Sequence, residues 1–296
     1  MRLLAALVSL TLIGTAALAQ DRVELGVGRL FSNDFLGDGK DRWRSGSYVL
    51  SYLVGPAGGQ DAPQFGDIVE YRLRAEILTP GGPDVDDRPY VGAVSLGAHT
   101  HFVAGAAEVA MGADVVAIGP QTGLADFQDG FHDFLDLAPS AQQNPLPNDV
   151  RFSGSAEMGY PYALGGDVLV RPFVEARAGV EDLVRVGGDV LIGPVGDEAL
   201  MLRDVATGQL YRGGGQGDPG VSYLIGGDIA AVAGSAYLPE AGGYVVSDTR
   251  SRARAGVMWR PTDDVTFFYG MTYLGAEFDR QAEGQVLGSL TLDFNF

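Results

Sequence analysis

The side chains best suited to catalysis in this 296-residue chain are its three histidines. The chain contains no cysteine that could act as a nucleophile. His99 and His101 fall near a predicted turn, and we interpret them as solvated turn residues. His132 lies in a long loop, four residues after Gln128, so a helical turn would place these two side chains on one face. An imidazole titrates near neutral pH and can take a proton from water, which makes His132 a candidate general base. A lone loop histidine is nevertheless more often structural than catalytic.

A second chemical signal is the pair Asn33 and Asp34, at the end of the first predicted strand. Amide and carboxylate oxygens are hard ligands of the kind that Ca²⁺ takes. An Asn-Asp pair also caps strand ends as an Asx turn, and the pair alone does not separate the two interpretations. No zinc-protease helix, phosphate-binding glycine loop or nucleophile elbow accompanies it.

The composition excludes several classes of protein. With 38 acidic and 20 basic residues, a net charge of −18 and Lys40 as its single lysine, the chain would repel nucleic acid. A hydrophobic content of 46% is too high for a disordered chain. Residues 1–19 combine Arg2, an apolar core and a small-residue cleavage site, which predicts a secretory signal peptide; the alternative is an N-terminal membrane anchor. The mature domain would then be residues 20–296.

Alternation with a period of two runs through this domain and predicts an all-β fold. One face of residues 265–273 carries Val265, Phe267, Tyr269, Met271 and Tyr273. The opposite faces carry full charges, as at Arg250, Arg252 and Arg254, which is typical of a wet barrel interior. The C-terminal Phe296 resembles the assembly signal of outer-membrane barrels. We therefore predict a single transmembrane antiparallel β-barrel in the bacterial outer membrane, with a secreted β-sandwich as the alternative.

Turn signals divide the domain into about twelve strands, predicted at 22–32, 46–54, 67–78, 89–99, 103–117, 150–162, 167–179, 183–193, 221–233, 244–260, 264–277 and 285–296. An even number puts both termini on the periplasmic side, so the loops 33–45, 79–88 and 118–149 share the outer rim. A short helix is predicted around 124–137, with an apolar face of Phe127, Phe131, Phe134 and Leu135. Residues 194–220 show the weakest strand and turn signals of the domain, so one strand could be misplaced there.

Taken in order, the outer loops resemble those of one family. The segments are FSNDF at 31–35, DRWRSG at 41–46, DRPYVG at 87–92, and a segment from Gly119 through Gln128 to His132. Together with the aromatic C-terminal strand, this order is similar to that of the outer-membrane lipid A 3-O-deacylases. The resemblance covers nearly the whole mature chain, including Glu277, Phe278 and Asp279 before the last strand.

The resemblance implies a twelve-stranded barrel that hydrolyses the ester-linked acyl chain at the 3-position of lipid A, with Ca²⁺ as cofactor. Outer-membrane lipids would surround the protein, which we expect to be a monomer that binds no nucleic acid. The family's functional residues correspond to Asn33, Asp34, Ser45, Arg88, Gln128 and His132.

Each of these positions has an implied role. Asp34, with Asn33, would hold the Ca²⁺ that polarises the ester carbonyl, while His132 takes the proton from water. Gln128 would orient His132 or the water. Arg88 would add positive charge or grip a phosphate of lipid A. Ser45, where the family usually has threonine, would be a ligand or a hydrogen bonder, and a nucleophilic role stays open.

The sequence departs from the family pattern after the histidine. An acidic residue and a Gly-Trp pair are expected there, but residues 138–145 contain neither, and Asp136 is a weak substitute. Gly46 also replaces the asparagine that follows the family threonine. Two alternatives therefore stay open: a non-enzymatic barrel that is structural, forms a small channel or binds at the surface, and an outer-membrane phospholipase.

Overall fold

The protein is described by a computed structural model covering residues 22–57, 62–82, 84–134, 136–194, 199–215 and 218–294. The predicted signal peptide, Leu135 of the predicted helix and the terminal Phe296 lie outside these residues. The strands are β1 (Arg22–Asn33), β2 (Trp43–Pro56), β3 (Ile68–Thr79), β4 (Val91–Ala104), β5 (Ala107–Ile118), β6 (Asp149–Gly159), β7 (Tyr162–Ala163), β8 (Val168–Ala178), β9 (Glu181–Ile192), β10 (Ala199–Arg203), β11 (Leu210–Gly215), β12 (Gly220–Ser235), β13 (Thr249–Thr262), β14 (Val265–Leu274) and β15 (Gln285–Phe294). Helix α1 (Leu124–Phe134) lies between β5 and β6.

Twelve of these strands close into one antiparallel barrel. The order is β6-β5-β4-β3-β2-β1-β15-β14-β13-β12-β9-β8, and β8 pairs back onto β6. The predicted all-β barrel of about twelve strands is confirmed, and each barrel strand is covered over most of its length by one predicted range. The predicted helix at 124–137 is also present, ending at Phe134 in the described residues.

Side chains alternate across the barrel wall as the charge pattern predicts. On β13, Arg252 and Arg254 point inward and are buried, while Val257 and Trp259 point outward and are exposed. Arg252 Nε donates to Asp228 Oδ1 at 2.9 Å, so charges inside the barrel are neutralised by partners on neighbouring strands. An apolar exterior around an ion-paired interior is stable only where the exterior contacts lipid, and closure of the strands into a ring is the β architecture that suits that medium. Within the described residues, no helix is both long and apolar enough to cross a membrane.

A hairpin formed by β10 and β11 occupies the lumen, and sequence periodicity missed it. Tyr211 OH lies 2.9 Å from Ser51 Oγ on β2, and Arg203 Nη2 donates to Asp189 Oδ2 on β9 at 2.8 Å. Strands β2 and β9 are six steps apart in the ring of twelve, so the hairpin bridges opposite walls. Its segment, Leu210–Gly215, contains three consecutive glycines and shows no clean alternation. Because the hairpin crosses the lumen, the structure disfavours the interpretation of this barrel as a small channel.

His99 and His101 are not solvated turn residues; that interpretation is wrong. Strand β4 continues to Ala104, so both histidines lie within it and point into the barrel, 4% and 6% exposed. His101 Nε2 lies 2.8 Å from Glu70 Oε2, and His99 Nε2 lies 3.2 Å from Asp114 Oδ2. They are near the end of β4 that is remote from His132, as the strand parity predicts.

Candidate active site on the outer face of the barrel

The outer end of the barrel carries the candidate site on its lipid-facing wall. On β1, Leu30 and Ser32 are buried inside the barrel and Phe31 is exposed, so alternation turns Asn33 outward. Asn33 pairs directly with Gly46 of β2. The site predicted from the sequence therefore begins on the barrel exterior, not in the lumen.

Helix α1 packs against this same outer surface of the barrel. Gly92 of β4 shares the outward face with the exposed Leu96. A Cβ added at Gly92 would stand 2.7 Å from Thr122 Oγ1 and 3.1 Å from Leu124 Cβ, so glycine lets the start of the helix approach the strand this closely without displacing Thr122. Because Gln128 and His132 are the buried residues of the helix, its inner face points at the barrel wall.

A β-bulge presents Ser45 to the helix. The register between β2 and β3 shifts between Arg44 and Gly46, which makes Ser45 the extra residue. Such a bulge re-aims a side chain and is common beside functional sites. Arg44 points into the barrel, where its Nε donates to Glu277 Oε1 at 2.7 Å, and Ser45 turns toward Asp41 and Gln128.

The backbone around the bulge is held from two sides. The Gln285 side chain accepts a hydrogen bond from the Arg44 amide at 2.9 Å and donates to the carbonyls of Arg42 and Arg44 at 3.1 and 3.2 Å. Trp43, between them, has φ of +54°, a left-handed conformation that a bulky side chain adopts only when its surroundings impose it. Its indole Nε1 donates to Asp87 Oδ2 at 2.8 Å. The DRW and DRP segments seen in the sequence are thus joined by a hydrogen bond.

Ser45 is the point at which the separate loops meet. Its Oγ donates to Asp41 Oδ1, and Gln128 Nε2 approaches the same Oγ at 3.5 Å. Its carbonyl accepts from Asn33 Nδ2 at 2.8 Å and from the Asp34 amide at 3.1 Å. Gln128 Oε1 is buried without a hydrogen-bond partner among the described residues, so an acceptor is left for a bound water or substrate hydroxyl.

The hydrogen bonds of His132 define its free nitrogen. Nδ1 lies 2.6 Å from the carbonyl oxygen of Ala138, and a carbonyl only accepts, so Nδ1 carries the proton of the neutral ring. The lone pair is then on Nε2, which lies 3.6 Å from Asp41 Oδ2. Nε2 is therefore the nitrogen that can accept a proton. The Asp41 carboxylate would lie beside the positively charged ring that results.

Asp41 is a residue of the candidate site that sequence reasoning missed, although it lies in the DRW segment at 41–43. It contacts Ser45 through one carboxylate oxygen and approaches His132 with the other. Asp136, the substitute considered for the missing family acid, has an exposed side chain, and the carboxylate near His132 is that of Asp41. The divergent stretch after the helix still holds the ring, through the Ala138 carbonyl.

The oxygen ligands suited to a hard cation lie beside this group. Asp34 is 1% exposed, and burial raises its pKa to about 9, with the Asp41 and Asp38 carboxylates adding to the rise. A buried carboxyl with acidic neighbours either keeps its proton or is compensated by a cation. Asp34 and Asn33 therefore fit Ca²⁺ in donor chemistry. Among the described residues, no group of three or more histidine or carboxylate side chains is arranged to hold a metal, so neutral oxygens would have to complete the shell.

Arg88 belongs to a neighbouring cluster and not to this group. It is 1% exposed, and its Nη1 lies 3.8 Å from Glu277 Oε2, inside the outer end of the barrel. Burial lowers its pKa to about 10, against the opposing charge of Glu277. The described contacts do not join Arg88 to Ser45 or His132, and so deep a side chain does not reach a lipid phosphate in this conformation.

We expect Asp41→Asn to lower any hydrolytic turnover by about 10- to 100-fold, the usual cost of removing a group that supports a reacting residue. The loss is limited because the Ala138 carbonyl keeps the His132 ring oriented. The measurement is kcat on purified, folded barrel, with the exposed Asp136→Asn as the matched control. Equal rates for Asp41→Asn and the unchanged protein would remove Asp41 from the site.

Comparison with known proteins supports the fold. No protein-family model and no curated protein matches the chain. Among solved structures, LpxR from Salmonella typhimurium has a TM-score of 0.73 at 16% identity, over 92% of this chain and 100% of that one. The β domain of the Bordetella autotransporter BrkA has a TM-score of 0.48 at 10% identity, over 92% of this chain and 99% of that one. The KdgM porin has a TM-score of 0.41 at 8% identity, with 93% and 99% covered. The likeness to LpxR shows that the chain has the architecture of a bacterial outer-membrane β-barrel.

Proposed function

We propose that this barrel hydrolyses the acyl ester at the 3-position of lipid A. The observation that carries the proposal is the position of His132, Gln128 and Ser45 on the lipid-facing wall, at the outer end of the barrel. A base and hydrogen-bond donors at this position are suited to an ester in the outer leaflet. The motif order in the sequence, which resembles that of the outer-membrane lipid A 3-O-deacylases, and the fold shared with LpxR support the choice of lipid A.

Each residue of the candidate site has a separate role in the proposed hydrolysis. A water beside His132 Nε2 loses its proton to the ring as its oxygen attacks the ester carbonyl carbon. The Asp41 carboxylate stabilises the imidazolium that forms, while the Ala138 carbonyl holds the ring through Nδ1. His132 then returns the proton to the leaving sugar oxygen, so the products are a free fatty acid and a sugar hydroxyl. Gln128 offers an acceptor to the water through Oε1 and a donor through Nε2.

Asp34 and Asn33 would hold the cation in this scheme. Bound Ca²⁺ would polarise the ester carbonyl and stabilise the negative charge that develops on its oxygen. Arg88 would act indirectly, through the buried charge cluster in which Arg88 and Arg44 both lie beside Glu277. Arg44 directly precedes Ser45 in the chain.

Water is favoured over Ser45 as the nucleophile. A serine nucleophile needs a base within hydrogen-bond reach of its Oγ. Here the Ser45 hydroxyl donates to the Asp41 carboxylate, which is a much weaker base than imidazole, and His132 approaches Asp41 and not Ser45. Ser45 therefore acts as a hydrogen-bonding residue that positions the Asp41 carboxylate.

The test is the mass of lipid A from cells that express the protein in their outer membrane. We expect loss of one 3-hydroxyacyl chain from lipid A and no change in glycerophospholipids extracted from the same cells. Release of fatty acid from glycerophospholipid would favour the phospholipase alternative. Unchanged lipid A in cells with a folded, surface-exposed barrel would contradict the proposed function and favour a non-enzymatic barrel.

A further inference from the structure

Helix α1 has three chemically distinct faces. At about 100° per residue, its side chains fall into three stripes about 120° apart. The first stripe is Gln128 and His132, which face the barrel. The second is aromatic, and the third is acidic. Their members are Phe127, Phe131 and Phe134 in the aromatic stripe and Asp126, Asp129 and Asp133 in the acidic stripe.

The aromatic stripe has no protein cover in the described structure. Phe127 is 65%, Phe131 44% and Phe134 83% exposed, and the rings of Phe127 and Phe131 stack on each other at 6.4 Å. Three adjacent phenylalanines on one helix face form a patch that proteins in contact only with water rarely present. We therefore expect another apolar surface to contact these three side chains.

The patch is continuous with the lipid-contacting wall of the barrel. The helix begins on the outward face of Gly92, the same face of β4 that carries Leu96, which is 63% exposed. Across the site, the exposed Phe35 follows directly after Asp34. Since the barrel exterior is covered by acyl chains, the adjoining aromatic stripe borders the same medium.

The acidic stripe determines how the helix is rotated. Asp129 accepts hydrogen bonds from Ser140 Oγ and Gln142 Nε2, both at 2.8 Å, so the segment after the helix lies along this stripe. Asp133 is exposed. Carboxylates are excluded from acyl chains by their desolvation cost, so this stripe faces the aqueous headgroup layer while the aromatic stripe faces away from it.

We propose that α1 lies in the membrane surface, with Phe127, Phe131 and Phe134 inserted among the acyl chains of the outer leaflet. The occupant of the stripe is the lipid surface itself. This orientation holds the Gln128 and His132 face at the depth where headgroups meet acyl chains, which is where the ester linkages of a lipid lie. The contact requires only the membrane-spanning barrel, whereas its use in presenting an ester to His132 rests on the proposed function.

Tryptophan fluorescence in vesicles tests the insertion. All variants carry Trp259→Phe, which removes the exposed native tryptophan and leaves Trp43, which is buried. Phe127→Trp places a reporter in the aromatic stripe, and Asp133→Trp places the matched reporter in the acidic stripe. Each variant is refolded into phosphatidylcholine vesicles whose acyl chains are brominated, with unbrominated vesicles as the reference.

We expect the added emission of Phe127→Trp to be blue-shifted and quenched at least twofold by brominated chains, and that of Asp133→Trp to be nearly unquenched. Equal quenching of the two reporters, or none of Phe127→Trp, would overturn the proposal. A stripe covered by a second copy or another protein would give a blue shift without quenching, which also overturns it. Quenching in a barrel that leaves lipid A unchanged would refute the proposed function but retain the membrane contact.

Discussion

Replacing His132 by glutamine should reduce lipid A deacylation by about 10²- to 10⁴-fold, the range typical for loss of a general base. Glutamine keeps a donor that can reach the Ala138 carbonyl and suits a helix, but it cannot accept a proton at neutral pH. The residue is mostly buried against the wall, so the change removes the base with little new exposure. The measurement is the rate of 3-hydroxyacyl release by the purified barrel.

The matched control for this variant is His99→Gln. His99 lies on the inward face of β4 beside Asp114, remote from the outer loops. We expect its rate to match that of the unchanged protein, provided both variants are folded. A His132→Gln barrel with full activity would exclude His132 as the base and, with it, the mechanism proposed above.

The second large effect is expected from Asp34→Asn. The carboxylate accepts hydrogen bonds from the amides of Phe35 and Arg42, each at 2.8 Å, and the isosteric amide keeps one acceptor and removes the charge. A hard cation loses most of its affinity when its anionic ligand becomes neutral. We therefore expect activity to fall by about 10²-fold or more, in line with loss of a group that stabilises an oxyanion.

Metal withdrawal separates this effect from simple unfolding. A chelator should suppress the unchanged protein, and added calcium should restore its rate, whereas Asp34→Asn should respond to neither. Asp133→Asn, on the exposed acidic stripe, is the control and should behave as the unchanged protein does. Full activity of the unchanged barrel in excess chelator would contradict a calcium-dependent reaction, whatever the variant does.

The barrel itself follows from local sequence pattern. Alternation of polar or small residues with apolar residues recurs along most of the barrel strands, and the period of two is a property of extended backbone. Strand parity then assigns the loops containing Asn33, Arg88 and His132 to one end without any knowledge of long-range contacts. The four-residue spacing of Gln128 and His132 likewise predicts their shared helix face, because that spacing is close to one helical turn.

Other features depend on contacts between residues far apart in sequence, and these only the tertiary structure decided. The luminal hairpin at 199–215 is held by partners on opposite walls, and nothing in its own glycine-rich segment encodes them. The burial of His99 and His101 follows from strand β4 running past its predicted end. Asp41 resembles any solvent-exposed loop acid in the sequence until the fold brings Ser45 and His132 to its two oxygens.

Residue type and strand parity in the sequence therefore determined which loops share the outer rim and which side chains could react. The fold decided that Ser45 is turned toward the helix by a bulge, that Arg88 is buried in a separate charge cluster, and that the candidate site lies on the lipid-facing wall. The physical reason is that the register of a bulge and the mounting of a helix on Gly92 arise from packing between distant segments, which period and spacing along one chain do not encode.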